Sequence, residues 1–154
     1  MSDDSDSKRV VIGLGSGRSG TASLTSLLDR QPGGICFHEM NPSSAVFSGN
    51  PQPLVNAVWE FKKLLRGGER SLLSIDYSRP SSVLTYEKLQ DMRELNLIGD
   101  IAFYYLNYGD DLLHVAPELF FICIKRDREK TVSSWLKKSS IRRWRSLWLA
   151  DKLK

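Results

Sequence analysis

Val10-Val11-Ile12-Gly13-Leu14-Gly15-Ser16-Gly17-Arg18-Ser19-Gly20-Thr21-Ala22-Ser23-Leu24 is the stretch that decides how this chain is read. Its β-branched opening favours a strand and its glycines favour a tight loop. Leu24, Leu27 and Leu28 then stand at helical i, i+3, i+4 spacing. Pro32-Gly33-Gly34 ends that helix, and Ile35-Cys36-Phe37 reads as a second short buried strand. Strand, glycine loop, helix, turn and strand within the first forty residues predict a βαβ unit, and with it a parallel sheet in an α/β fold.

Outward from that unit the pattern continues without a repeat or a domain boundary. Residues 40–53 read as a loop rich in Pro, Ser and Asn, and Leu54 to Arg66 as an amphipathic helix ended by Gly67-Gly68. Leu72 to Ile75 are expected as a strand. Ser81 or Ser82 caps a helix that turns Leu84, Leu89 and Met92 inward. Leu97 to Leu106 read as a strand and Asp110 to Ala116 as a short helix closed by Pro117. Leu119-Phe120-Phe121-Ile122-Cys123-Ile124 is continuously apolar, as expected of a central parallel strand covered on both faces. A helix from about Glu129 to Lys138 follows.

The 154 residues suit one domain, and 41% hydrophobic with 26% charged residues exclude a disordered or fibrous chain. The longest strictly apolar run is six residues, too short to cross a bilayer. The opening MSDDSDSKRV lacks the hydrophobic core of a secretory leader. Cys36 and Cys123 each sit in an apolar run, as buried reduced thiols of a cytoplasmic protein would. The net charge of +4 is unevenly spread: residues 1–9 carry −1, residues 137–154 carry +6, and the remainder −1. A near-neutral body argues against a nucleic-acid-binding surface.

A glycine loop between strand and helix turns backbone N–H groups and the positive helix end toward one point, a natural place for phosphate. Arg18 adds a charged fork there, and Ser19, Thr21 and Ser23 add hydroxyls. Gly15 and Gly20 have the spacing of a kinase P-loop, but Thr21 occupies the position of its lysine. Gly15, Gly17 and Gly20 also spell the dinucleotide fingerprint, with Glu39 as the acid about twenty residues on. An NAD(P)-binding, dehydrogenase-like domain is therefore the alternative. The last apolar strand runs into Lys125-Arg126-Asp127, and the next helix carries Ser134. A guanidinium at a strand's carboxyl end beside a serine hydroxyl makes a cradle for a second phosphate.

Taken together, Val11-Ile12-Gly13 with Gly17-Arg18-Ser19-Gly20-Thr21 resembles the 5′-phosphosulfate loop of the sulfotransferase family. Phe121 to Trp135 resembles that family's 3′-phosphate motif, R-[DN]-P with a serine eight positions after the arginine. Ser134 is eight after Arg126, and Arg128 replaces the proline. The resemblance covers roughly residues 9–136 and is of the short bacterial or viral type. It implies a P-loop-like, single-domain three-layer sandwich with a central, mostly parallel sheet. It also implies the cofactor 3′-phosphoadenosine 5′-phosphosulfate (PAPS) and in-line sulfuryl transfer to a hydroxyl or amine. On this reading Gly17, Arg18, Ser19, Gly20, Thr21, Ala22 and Ser23 hold the sulfated phosphate, and Arg126 with Ser134 the 3′-phosphate. Arg18 also stabilises transferring charge without a metal.

The acceptor needs a base. His38 and Glu39 follow the second strand, and the resemblance favours Glu39 with His38 as the alternative. Gly99-Asp100 with Tyr104 and Leu106 is faintly similar to a strand of bacterial sulfotransferases, which would place Asp100 beside the acceptor. The acceptor itself, a small molecule, glycan or peptide, is not legible, and neither is a homodimer. Residues 1–8 are expected to be a disordered lead, 9–138 the domain and 139–154 a basic amphipathic helix. Many family members continue further, so a non-catalytic relative that only binds PAPS, or its desulfated product PAP, is also an alternative.

Overall fold

The computed structural model describes residues 8–70 and 73–138. Its strands are β1 (Arg9–Gly15), β2 (Gly34–His38), β3 (Leu97–Ala102) and β4 (Phe120–Ile124). Its helices are α1 (Thr21–Asp29), α2 (Ser43–Val46), α3 (Gln52–Leu65), α4 (Pro80–Asp91), α5 (Gly109–Val115) and α6 (Arg128–Lys138). The four strands form one sheet in the order β2-β3-β1-β4, every pair parallel, with helices flanking it.

That order sets where a ligand would sit. β1 and β3 are neighbours, with Leu14 opposite Ala102 at their carboxyl ends. The chain leaving β1 travels past β3 to reach β2, whereas the chain leaving β3 travels past β1 to reach β4. The two connections leave adjacent strand ends in opposite directions along the sheet, and a switch of this kind opens a crevice at its carboxyl edge.

Burial fixes this arrangement. Ile12, Ile35, Phe37 and Ile98 lie in one core with Leu54, Val58 and Phe61 of α3. The Phe37 and Phe61 rings stack with centroids 6.3 Å apart. Each such side chain contributes about 1.5–3 kcal/mol on leaving water. In α3, Leu54, Val58, Phe61 and Leu65 repeat at helical intervals and are all buried.

Several expectations are corrected. β4 lies at the edge of the described sheet, not its centre: it pairs only with β1 there, and Phe120 is 47% exposed, with the Arg9 guanidinium 4.7 Å above its ring. An apolar run reports β propensity but not the number of neighbours. Cys123 is accordingly exposed, whereas Cys36 is buried. Residues 73–75 form no strand, residue 72 lying outside the described residues. The strand expected over 97–106 stops at Ala102, and Phe103–Asn107 tighten into a 3-10 turn that buries Tyr104 and Tyr105. α4 starts at Pro80 with Leu89 buried but Leu84 66% exposed. In α1 the buried residues are Thr21 and Thr25, and Leu27 faces outward. Thr25 satisfies its hydroxyl on the Thr21 carbonyl at 3.0 Å, so a polar residue fits the sheet-facing side. The 40–53 loop contains α2 and the first two residues of α3. Lys8, expected in the lead, donates to the Leu65 carbonyl at 2.9 Å. The expected C-terminal helix over 139–154 lies outside the described residues.

Candidate functional site

The loop from β1 to α1 is built on left-handed backbone. Gly17, Arg18 and Gly20 have φ of 65°, 57° and 111°. For Arg18, which carries a side chain, this conformation costs about 1–3 kcal/mol and needs support from its surroundings. Left-handed residues of this kind turn successive N–H groups toward one point. Gly20 is the residue before α1; its carbonyl accepts the Ser23 amide at 3.0 Å, while the Thr21 and Ala22 amides that open the helix have no carbonyl within it to accept them. The loop and the helix end thus present the same charge, and an anion is favoured at both.

The second half arrives across the sheet edge. Ile124 of β4 pairs with Gly15 of β1, which puts Arg126 against the loop. Arg126 donates from Nη1 to the Arg18 carbonyl at 2.7 Å, and Arg18 donates from Nε to Ser134 Oγ at 3.1 Å. Asp127 does not pair with Arg126. Its carboxylate accepts the Lys130 amide at 3.0 Å and so caps α6, aiming Ser134 at the loop. The Trp135 ring packs on Gly17 so closely that a Cβ there would lie 3.0 Å from it. These contacts supply the support that the Arg18 backbone requires.

The opposite wall comes from the end of β2. His38 shares a 3.0 Å hydrogen bond with Thr21 Oγ1. Glu39 is left-handed as well, with φ 56°, and its amide donates to the Ile101 carbonyl at 3.2 Å. Its carboxylate pairs with Arg79, which stands immediately before α4. Arg79 also donates from Nε to Asp76 Oδ2 at 3.2 Å. Burial opposes the Arg79 charge, but the two carboxylates outweigh it and hold the guanidinium above its ordinary value.

Between the walls lies a cleft of about 520 Å³, lined by Gly17, Arg18, Gly20, Thr21, Ala22, Ser23, His38, Glu39, Arg79, Phe103, Arg126, Ser134 and Trp135. Every site residue expected from the sequence therefore faces one cavity, except Asp100 and Ser19. The Ser19 side chain is buried, points back over Gly15 and has no hydrogen-bond partner among the described residues. Asp100 does not reach the cleft either. It is fully buried and accepts from Tyr104 Oη at 2.7 Å, Tyr105 Oη at 3.0 Å and the Met40 amide at 3.2 Å. Burial pushes its carboxyl up, against the pull of these donors and of the His38 charge. Asp100 is thus a buried brace for the turn after Glu39.

Arg79, Phe103 and Trp135 are the lining residues that sequence reasoning missed. Arg79 precedes Pro80 at a helix start, a position that signals capping and not a cleft 40 residues away from its partner Glu39. Among the described residues, no cluster of three His, Cys, Asp or Glu is arranged to hold a metal, and no helix is long and apolar enough to cross a membrane. No protein-family model matches the chain, and no curated protein matches it in sequence.

Proposed function

We propose that the protein is a PAPS-dependent sulfotransferase on a three-layer, P-loop-like α/β scaffold. The observation that carries this is the convergence of two anion cradles and a base on one cleft. The glycine loop with Arg18, the pair His38 and Glu39, and the pair Arg126 and Ser134 all line it, although the first and last lie more than a hundred residues apart. A volume of about 520 Å³ falls in the range of roughly 300–1,000 Å³ usual for ligand sites. Arg18, Arg126, the α1 helix end and the Ser134 hydroxyl are donors that fit a ligand with phosphates at two positions.

PAPS when bound supplies an activated sulfuryl group, which the acceptor oxygen or nitrogen takes as the bond to the 5′-phosphate breaks. Arg18 and the loop N–H groups stabilise charge spreading over the non-bridging oxygens, worth about 10²–10³ in rate per donor. Arg126 and Ser134 hold the 3′-phosphate. Glu39 accepts the acceptor's proton, and His38, hydrogen-bonded to Thr21, orients the first turn of α1.

The strand order weighs against the dehydrogenase alternative. The dinucleotide fold places its second strand beside the first, so that the acid ending it reaches the ribose. Here β3 lies between them. A purely nucleotide-binding relative has one point in its favour, since Glu39 is already engaged by Arg79.

The deciding measurement is thermal stability with PAPS, PAP, NAD and ATP in parallel. PAP at a hundredfold excess over its dissociation constant is expected to add about 2.7 kcal/mol. Stabilisation by NAD without any by PAP would end the proposal. Transfer of labelled sulfate from PAPS to a panel of alcohols, phenols and amines then separates enzyme from binding relative.

A further inference from the structure

We infer that Arg79 is a positioning residue, holding Glu39 in the attitude in which it takes the acceptor's proton; this rests on the sulfotransferase reading. Glu39 lies just beyond an edge strand of the described sheet, in a left-handed conformation and on a long, rotatable side chain. Nothing in its own sequence neighbourhood would keep its carboxylate aimed at the cleft, and ordering such a side chain is entropically costly.

The structure supplies the restraint as a closed circuit. The Asp76 amide donates to the Met40 carbonyl at 2.8 Å, tying the segment before α4 to the residue after Glu39. The Asp76 carboxylate is fixed by the Ser78 amide at 3.0 Å and hydroxyl at 2.6 Å, the hydroxyl above all holding it below the usual carboxylate range. Asp76 in turn grips Arg79 at Nε, and Arg79 reaches Glu39 through a different nitrogen. Pro80 keeps the Arg79 backbone extended, so the fork leaves the chain in one direction. Among the described residues only one Glu39 oxygen, Oε2, is engaged, and the other is left for the acceptor. A planar guanidinium gripped from two sides is suited to this task and a lysine is not. Arg79 lines the same cleft as Arg18 and Arg126, and its side chain there is committed to Glu39 and Asp76.

The test compares wild type with Arg79→Lys and Arg79→Ala, measuring PAP affinity by calorimetry and sulfuryl transfer from PAPS under single-turnover conditions. PAP affinity is expected to stay within about twofold of wild type in both variants. Transfer is expected to fall about 10²-fold in Arg79→Ala, the usual cost of misplacing a reacting group by an ångström. It should fall less in Arg79→Lys, and millimolar methylguanidinium should restore part of the Arg79→Ala rate, a rescue that a purely structural role would not show. Wild-type transfer with undiminished transfer in Arg79→Ala, or with a loss that methylguanidinium leaves untouched, overturns the inference and leaves the sulfotransferase reading standing. A parallel loss of PAP affinity would make Arg79 a cofactor ligand instead and also overturn it. Wild type that binds no PAP, or transfers to no acceptor, overturns the reading and the inference together.

Discussion

Arg18 and Ser134, 116 positions apart in the chain, are joined by a 3.1 Å hydrogen bond from Nε to Oγ. The glycine loop and the last described helix are therefore halves of one site. Arg126, donating to the Arg18 carbonyl, is the second clasp between them.

Arg126→Ala should weaken PAP far more than the analogue without the 3′-phosphate. A charge-assisted contact contributes about 1.5–3 kcal/mol, or roughly 10–150-fold in affinity. Calorimetry on both ligands decides it. Equal losses would mean that Arg126 serves only to hold the loop.

Glu39→Gln should keep PAP affinity and lose about 10²–10⁴ in transfer rate, because an amide cannot accept the proton. His38→Asn should cost less, its nearest partner being a hydroxyl of α1. If the ranking is reversed in a rate comparison, His38 is the base.

Asp100→Asn gives a prediction with a sign in pH. Burial raises the Asp100 carboxyl in the folded protein, so the folded state holds that proton more tightly than the unfolded one. Its stabilising contribution is complete below the unfolded value near 3.9 and is lost as pH rises toward the folded value. Asparagine carries no such dependence. The melting temperature of Asp100→Asn relative to wild type should thus climb from pH 4 upward, superimposed on a constant loss of about 1–3 kcal/mol from the disturbed Tyr104, Tyr105 and Met40 hydrogen bonds. Melts across that range showing a flat difference would contradict the buried-acid account.

The two thiols should differ in reactivity. Cys123 is exposed, whereas Cys36 is buried and its thiol is pushed up, first by burial and then by the Asp100 and Asp29 charges. The thiolate is the reactive form. Brief iodoacetamide treatment of the native protein should modify Cys123 alone, and denaturation should expose both, as read by peptide mass spectrometry. Protection of Cys123 would show that something covers the outer side of β4.

Much of the site could be read from spacing, because phosphate cradles are made of backbone geometry and short-range order. Gly17, Gly20 and Arg18 announce the loop, and the eight-residue step from Arg126 to Ser134 announces its complement. Local signals say less about tertiary neighbours. The run from Phe120 to Ile124 looks the same at a sheet's centre and its edge. Leu97 to Leu106 reads as one strand because nothing local shows that Tyr104 and Tyr105 turn back to hydrogen-bond Asp100. Arg79 was illegible for the same reason: its partner is set by how α4 docks.

The strand order has a consequence for the birth of the molecule. β1 and β2, the first two strands, do not pair with each other; each waits for β3, whose first residue is Leu97. The first 96 residues can therefore form helices and collapse, but they have no sheet to join. Pairings this distant are slow to form, since the loop must close before any contact rewards it. On the ribosome, β1 and its glycine loop would emerge before their partner and remain unpaired until Leu97–Ala102 slots between β1 and β2. Arg126 and Ser134 come later still, so the cleft is complete only once α6 has been made. A nascent chain halted before β3 would be a natural client for chaperones.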